Sequence, residues 1–273
     1  MKYYRPSTLT EALTLLREPG SAPLAGGTVL LPERPAELAA VVDLSALGLD
    51  ALRREGGFLV AGAMARVQAL ATFPGLDGSA GEVLREAARL ALPRPLRDMA
   101  TLGGTIAVAE GELVAALLAL GAEVKLHTDA GSWIALDDFL AERAASLSSG
   151  CLIVEIRWPV SMSGGCALAR VARTPADLAI LIAVACVSRS GPAGARGRLA
   201  VGGLTHRPFL IPVVSSEWNP DAIVASVHAA AQDAPAISDV RASAAYRRDI
   251  APVVARRALI AAWERSGGTG WPT

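Results

Sequence analysis

Two tripeptides with the same spelling are the residues of this sequence best suited to chemistry: Gly26-Gly27-Thr28 in "PLAGGTVLLP" and Gly103-Gly104-Thr105 in "MATLGGTIAVA". A glycine pair leaves backbone N–H groups unshielded by any Cβ, so phosphate oxygens can come within hydrogen-bonding distance. A helix that starts directly afterwards adds its own free N–H groups and dipole to the same anion. The first stretch can do both, with Thr28 as helix cap or hydroxyl donor. The alternative is an ordinary glycine turn between strand and helix. Neither stretch fits Gly-x-Gly-x-x-Gly or a pattern ending Gly-Lys-Ser/Thr. "GPAGARG", Gly191 to Gly197, lies between two expected antiparallel strands, precedes no helix and reads as a hairpin loop.

Other chemistries find no support. Cys151, Cys166 and Cys186 are too far apart for a Cys-x-x-Cys pair and read as buried, reduced thiols. His127, His206 and His228 are isolated, so neither a metal site nor a catalytic acid or base is identified. With 26 Lys+Arg against 26 Asp+Glu there is no net charge to favour nucleic acid or an anionic membrane. The longest apolar run, Leu178 to Val187, falls short of the roughly 20 residues of a membrane span. The N-terminus lacks the layout of a signal peptide. A soluble, cytoplasmic protein is expected.

The elements that must hold these residues can be read in order. Thr8 and Glu11 form a capping-box pattern for a first helix that Pro19-Gly20 stops. "LAAVVDLS" and "GFLVAGA" read as strands, with Gly56-Gly57 as a turn before the second. "VQALATF" and "GEVLREAARLAL" carry helical spacing, and "ELVAALLALG" reads as a buried helix ending at Gly121. "AEVKLHT", "DAGS" and "SWIAL" make strand, turn and strand, and "CLIVEIRWP" is a further strand. "SMSGG" is the linker candidate. Beyond it "CALARVAR", "DLAILIAVACVS" and "RGRLAVGGL" are strands, followed by helices in "DAIVASVHAAAQ" and "SAAYRRDIAPVVARRALIAAWER". Tyr246, Arg247 and Arg248 belong to the last helix, with charges facing water or a partner. The whole is an α+β pattern whose second half is an antiparallel sheet covered by helices.

In order and spacing, "YYRPSTLTEALTLL", "LAGGTVLLP", "VVDLSAL", "LVAGAMA", "REAARLALPRPLRDMATLGGTIA", "RVARTPADLAILIAVA", "LAVGGLTHRP" and "RASAAYRRDIAPVVARRAL" resemble the FAD-binding medium subunit of the molybdenum hydroxylases. Carbon monoxide dehydrogenase and xanthine dehydrogenase belong to that family. The resemblance implies an FAD-binding domain of two subdomains (PCMH-type) over residues 1–160 and a C-terminal sheet-and-helix domain over 161–273. It further implies that Ala25, Gly26, Gly27, Thr28, Val29 and Leu30, with Thr101, Gly103, Gly104 and Thr105, hold the FAD diphosphate and ribityl chain. Glu112, Ile153 and Arg170 are carried over as further cofactor-binding positions. Thr105 stands where the family usually has Asn, Glu112 ends a shortened loop where the family has Asp, and Leu168-Ala169-Arg170 replaces a customary Tyr-x-Lys.

The implied function is electron transfer in an oxidoreductase complex. The flavin would accept electrons from an iron–sulfur small subunit and pass them to an external acceptor, beside a large subunit carrying the molybdenum cofactor. The chain would thus be part of a hetero-oligomer. One alternative is a degenerate, FAD-poor structural or assembly subunit, and another is a stand-alone flavoprotein oxidase. The lack of a His or Cys beside either glycine pair points to non-covalent FAD.

Overall fold

The structure, a computed structural model, describes residues 1–127, 132–148, 151–160, 162, 164–174, 177–190, 194–215 and 218–268. In chain order the elements are β1 (Lys2–Tyr4), α1 (Leu9–Leu16), β2 (Ser21–Leu24), α2 (Leu30–Glu33), β3 (Ala40–Asp43), β4 (Leu52–Glu55), β5 (Phe58–Gly62), α3 (Val67–Thr72), α4 (Gly78–Ala91), α5 (Arg94–Met99), α6 (Leu102–Val108) and α7 (Glu112–Leu120). They continue as β6 (Glu123–Leu126), β7 (Trp133–Ala135), α8 (Leu136–Ala141), α9 (Arg143–Ser148), β8 (Ile153–Pro159), β9 (Gly165–Val171), β10 (Leu181–Ser190), β11 (Gly194–Gly202), β12 (Phe209–Ser215), α10 (Pro220–Asp233) and α11 (Ala244–Arg265). Strands and helices mix throughout, which makes the fold α+β. No single helix among the described residues is long and apolar enough to cross a membrane.

The chain forms two compact units. One comprises Met1–Leu70, Arg94–Val108 and Ala122–Trp158, the other Ala71–Pro93, Ala109–Gly121 and Pro159–Thr273. The first unit holds two sheets. In one, β3 lies between β1 and β2, parallel to both. Its core joins Ala12, Val42, Leu44, Met64 and Leu152. The other runs β4-β5-β8-β6-β7. Gly56 and Gly57, at φ +54° and +83°, turn β4 into β5 as a hairpin. The expected turn is there, but it joins two strands, because "ALRRE" pairs with "GFLVAG" although its charged side chains hide the alternation.

On the polar side of that sheet Arg157 lies between the rings of Phe58 and Trp133, at 4.5 and 4.3 Å from their centroids. It also pairs with Glu123. Arg53 and Lys125 flank Glu155 at 2.6 and 3.4 Å. Alternating charges thus cover apolar surface with their own stems.

In the second unit β9 to β12 form one antiparallel sheet in the order β12-β11-β10-β9. Leu181, Ala183, Ala185 and Val187 of β10 face α11 through Val254, Ala255, Ala258, Leu259 and Ala262. The other face receives α4 and α7. Every residue of α7 is buried, as an all-round apolar helix requires. Gly121, at φ +71°, ends it as expected. The fourth strand, β12, escapes the sequence reading because Pro212 interrupts it. Proline is tolerated there since β12 is an edge strand.

Several local readings need correction. The first helix stops at Leu16, before Pro19. Thr8 Oγ1 accepts from Glu11 N at 3.2 Å, but the Glu11 carboxylate reaches Ser7 N, at 3.0 Å, instead of Thr8 N. Gly194 to Gly197 lie in β11 and not in the hairpin loop, the rest of which lies outside the described residues. Most of the "DAGS" turn and two residues of "SMSGG" also lie outside them. Cys166 and Cys186 are buried free thiols, whereas Cys151 is half-buried.

Arg247 does not face water. Its side chain is 0% exposed and donates to Ile180 O and Gly203 O at 2.5 and 2.6 Å and to Asp239 Oδ1 at 2.7 Å. It ties α11 to the loops at the sheet's end. Hydrogen bonds from Arg241, Arg247 and backbone N–H groups hold the Asp239 carboxyl far below the usual carboxylate range, against the opposing effect of burial.

Candidate functional site

The first glycine pair follows β2, whose Leu24 sits beside Asp43 of β3. Gly27 has φ +69°, the left-handed region that L-residues rarely adopt. Gly26 is required for a different reason: a Cβ there would fall on the Met99 carbonyl oxygen and lie 2.9 Å from Ala100 Cα. The backbone N–H groups of Gly26, Gly27, Thr28 and Val29 find no acceptor among the described residues. Thr28 does not cap α2. Glu33 N donates to Val29 O at 3.1 Å, which makes Val29 the cap, and valine has no side-chain acceptor. Leu30 opens this short helix, and Val29 is 39% exposed.

The second glycine pair is built differently. The expected turn is instead the first turn of α6. Thr101 forms a bridge with Arg66, and Val67 N donates to Ala100 O at 3.0 Å. Leu102 N and Gly103 N donate to Ala65 O and Ala63 O at 2.9 and 2.8 Å. Thr101 then caps the helix. Its Oγ1 accepts from Gly104 N at 3.2 Å and its carbonyl from Thr105 N at 2.9 Å, with Thr105 Oγ1 adding 2.9 Å to the same carbonyl.

Gly103 is glycine because a Cβ would stand 2.7 Å from Ala63 Cβ and 2.9 Å from Ala63 O. Packing makes no such demand on Gly104. Apart from its own helix, only Thr101 Oγ1, at 2.9 Å, is near the place of its Cβ. Its φ is not positive either, so backbone strain does not explain the residue, and the contact a Cβ would meet is a side-chain hydroxyl and not backbone. Arg143 donates to Ala107 O and Val108 O and holds the far end of α6.

The structure brings the two stretches together. Gly26 packs on Met99-Ala100, and the next residue is Thr101. Ile153 is buried at the start of β8, opposite Leu126 of β6. What results is a set of unpaired N–H donors from Gly26 to Val29 near an uncovered helix turn at Gly104. This is a surface able to take an anion or a polyol along its backbone.

Glu112 and Arg170, both in the second unit, meet each other. Glu112 is 0% exposed at the first residue of α7, where a carboxylate suits the helix dipole. Arg170 Nε lies 3.2 Å from its Oε1, in ion-pair range but outside hydrogen-bond geometry, and Arg170 also donates to Asp177 O. Burial pushes the Glu112 carboxyl above its ordinary range, with the positive charge of Arg170 opposing. At the other end of α7 the Arg198 guanidinium lies against Gly121, so both ends of this apolar helix carry a complementary charge.

Sequence reasoning missed the wall behind the first turn (Met99, Ala100), the Ala63 backbone beneath Gly103, and Arg66, which donates to Met99 O. The run of small residues in "VAGAMA" is the sole sequence signal of such close approach. No group of three or more His, Cys, Asp or Glu able to hold a metal occurs among the described residues.

Residues 1–161 match the family described as the FAD binding domain in molybdopterin dehydrogenase, and residues 167–262 match the CO dehydrogenase flavoprotein C-terminal domain. The chain is 30% identical to the carbon monoxide dehydrogenase medium chain of Afipia carboxidovorans, over 94% of each. It is 28% identical to the nicotine 6-hydroxylase medium subunit of Paenarthrobacter nicotinovorans, over 97% of this chain and 98% of that one. Among solved structures, carbon monoxide dehydrogenase from Hydrogenophaga pseudoflava superimposes with a TM-score of 0.85 at 27% identity, covering 97% of this chain and 98% of that one.

Proposed function

The chain belongs to the FAD-binding medium subunits of the molybdenum hydroxylases, and from that membership we propose that it is the electron-transfer subunit of such a complex. Its cofactor is FAD, and it is an oxidoreductase subunit. When bound, FAD supplies a carrier that can take electrons singly and give them up in pairs. Electrons would come from the iron–sulfur clusters of a small subunit and leave to an external acceptor. A large subunit with the molybdenum cofactor would carry the substrate chemistry. The complex would work in the cytoplasm.

One observation carries this reading: four consecutive N–H groups, Gly26 to Val29, unpaired among the described residues, next to a glycine, Gly104, where no described backbone outside its own helix comes near the place of a Cβ. Those residues fit FAD. The free N–H groups suit its diphosphate, and the bare turn of α6, with the hydroxyls of Thr101 and Thr105 beside it, suits close approach by the ribityl chain. Ala25, Leu30 and Gly103 shape the same backbone, and Ile153 is kept as a cofactor-binding position. Residues 1–160 then act as the FAD-binding domain and residues 161–273 as the C-terminal domain.

The chain's own residues bind and orient, and none of them needs to donate or accept a proton. Glu112 and Arg170 remain assigned to the cofactor as a pair, through the charge that Arg170 keeps beside the carboxylate. Their mutual engagement also favours the second reading, a structural subunit that holds FAD poorly, because an arginine already paired has less to offer a ligand.

The visible spectrum of the purified complex separates the two. Flavin absorbance that bleaches when the enzyme's organic substrate is added, and recovers with an acceptor, is the expected result. Heat denaturation should release the flavin as FAD. A colourless chain that takes up no added FAD, yet co-purifies with iron–sulfur and molybdenum subunits, establishes the scaffold instead. A homomer that oxidises a substrate unaided would establish a stand-alone oxidase.

A further inference from the structure

We infer that Arg66 is a positioning and charge-supplying residue of the FAD site, clamping the Met99 carbonyl from one side while offering its cation to the diphosphate beside the first glycine turn. The inference rests on the reading above.

Three observations lead to it. First, Arg66 Nη1 donates to Met99 O, the same oxygen on which a Cβ at Gly26 would fall. The guanidinium and the Gly26 backbone therefore approach one carbonyl, at the residue where the unpaired N–H groups begin. Second, that single bond is the whole of the side chain's polar engagement among the described residues. The guanidinium has no other hydrogen bond there and no carboxylate partner, although the residue is half-buried.

Third, its backbone is fixed. Arg66 bridges Thr101, and the neighbouring bonds Val67 N to Ala100 O and Leu102 N to Ala65 O hold both segments in register. A guanidinium has five donors. One is spent on Met99, and the rest stay available next to donors that would take the same anion. A cation with no anion of its own, held beside four free N–H groups, is a charge arrangement awaiting a ligand's negative charge. Met99 O would otherwise turn a partial negative charge towards the diphosphate. Arg66 neutralises it and sets the wall that Gly26 packs against.

The test uses the full-length chain freed of flavin, titrated with FAD at low and high salt, together with Arg66→Gln and Arg66→Lys. Glutamine keeps an N–H donor but carries no charge, and lysine keeps the charge. Arg66→Gln should raise the Kd for FAD by about 10-fold or more, the scale of one lost charge-assisted hydrogen bond. It should also flatten the salt dependence of binding. Arg66→Lys should recover most of both, and all three apoproteins should melt together.

If Arg66→Gln binds FAD with unchanged affinity and salt dependence, the inference is overturned while the FAD reading stands. Equal losses in both variants would overturn the charge assignment, leaving a steric role for the planar group. A wild-type chain that takes up no FAD would remove the reading and the inference together.

Discussion

Gly-Gly-Thr occurs twice, and the two copies share neither conformation nor reason. In the first, Gly27 is left-handed, Gly26 is pressed on the Met99-Ala100 backbone, and the N–H groups from Gly26 to Val29 are unpaired. In the second, the same letters form a helix turn in which Gly103, Gly104 and Thr105 all donate within the protein. What the second copy leaves open is space: among the described residues outside its own helix backbone, the Thr101 hydroxyl alone approaches where a Cβ of Gly104 would be. One copy therefore offers donors and the other offers room. A phosphate needs the first and a carbon chain lying on backbone needs the second.

The largest effect that could break this contrast is at Gly26. Gly26→Val places a branched side chain into the Met99 carbonyl, and backbone cannot swing aside as a side chain can. Overpacking of this kind costs about 1–3 kcal/mol, occasionally more, and Gly26→Val belongs at the upper end. The melting temperature of the apoprotein should fall and FAD content should vanish. A variant that melts normally would mean that the two stretches are not pressed together.

Gly104→Ala should behave in the opposite way. Alanine in place of glycine gains a helix about 0.5–1 kcal/mol, but the neighbour that must yield is the Thr101 hydroxyl that caps α6, a bond of similar worth. The two effects nearly offset, so the apoprotein should melt close to the wild type while FAD affinity falls. Gly104→Val should abolish binding outright. Equal FAD affinity in all three proteins would make Gly104 a mere relic of the helix turn and leave the first copy as the whole site.

What could be read from the sequence follows the range of the forces involved. The Thr8 cap, the Gly121 stop and the all-apolar α7 are local matters, settled by residues within a turn or two. Gly103 and Gly104 looked like a turn because glycine is a poor helix former. They are helical because Thr101 caps them and Ala63, far away in sequence, holds Gly103 N. The β12 strand was hidden by Pro212, which only an edge position permits. Arg66 had no sequence signature at all, since its meaning comes from one carbonyl 33 residues along the chain. The family resemblance implies Glu112 and Arg170 as separate cofactor contacts, and no spacing rule tells that they face each other.

That pair supplies the smallest effect and the sharpest control, because it asks whether a polar group can belong to the site while sealed from water. Burial raises the Glu112 carboxyl in the folded protein, and an unfolded glutamate titrates near about 4.3. The folded state therefore holds this proton more tightly than the unfolded one, so unfolding in that window releases it. The stabilisation is complete below the unfolded value and is lost as pH rises through the raised one. Arg170 and Arg241 temper the shift from nearby.

Melting temperatures of the wild type and Glu112→Gln should thus differ in a pH-dependent way. The wild type should fare best relative to the variant below about pH 4 and lose that ground as pH rises through the raised Glu112 value. A gap that widened with rising pH would mean a carboxylate stabilised as the anion by Arg170, and burial would then be the weaker influence. Repeating the series with saturating FAD decides the remaining point. If FAD leaves the pH profile of the gap unchanged, Glu112 is a strut of α7 and the cofactor site ends with the two glycine stretches. If FAD shifts it, the Glu112–Arg170 pair senses the ligand.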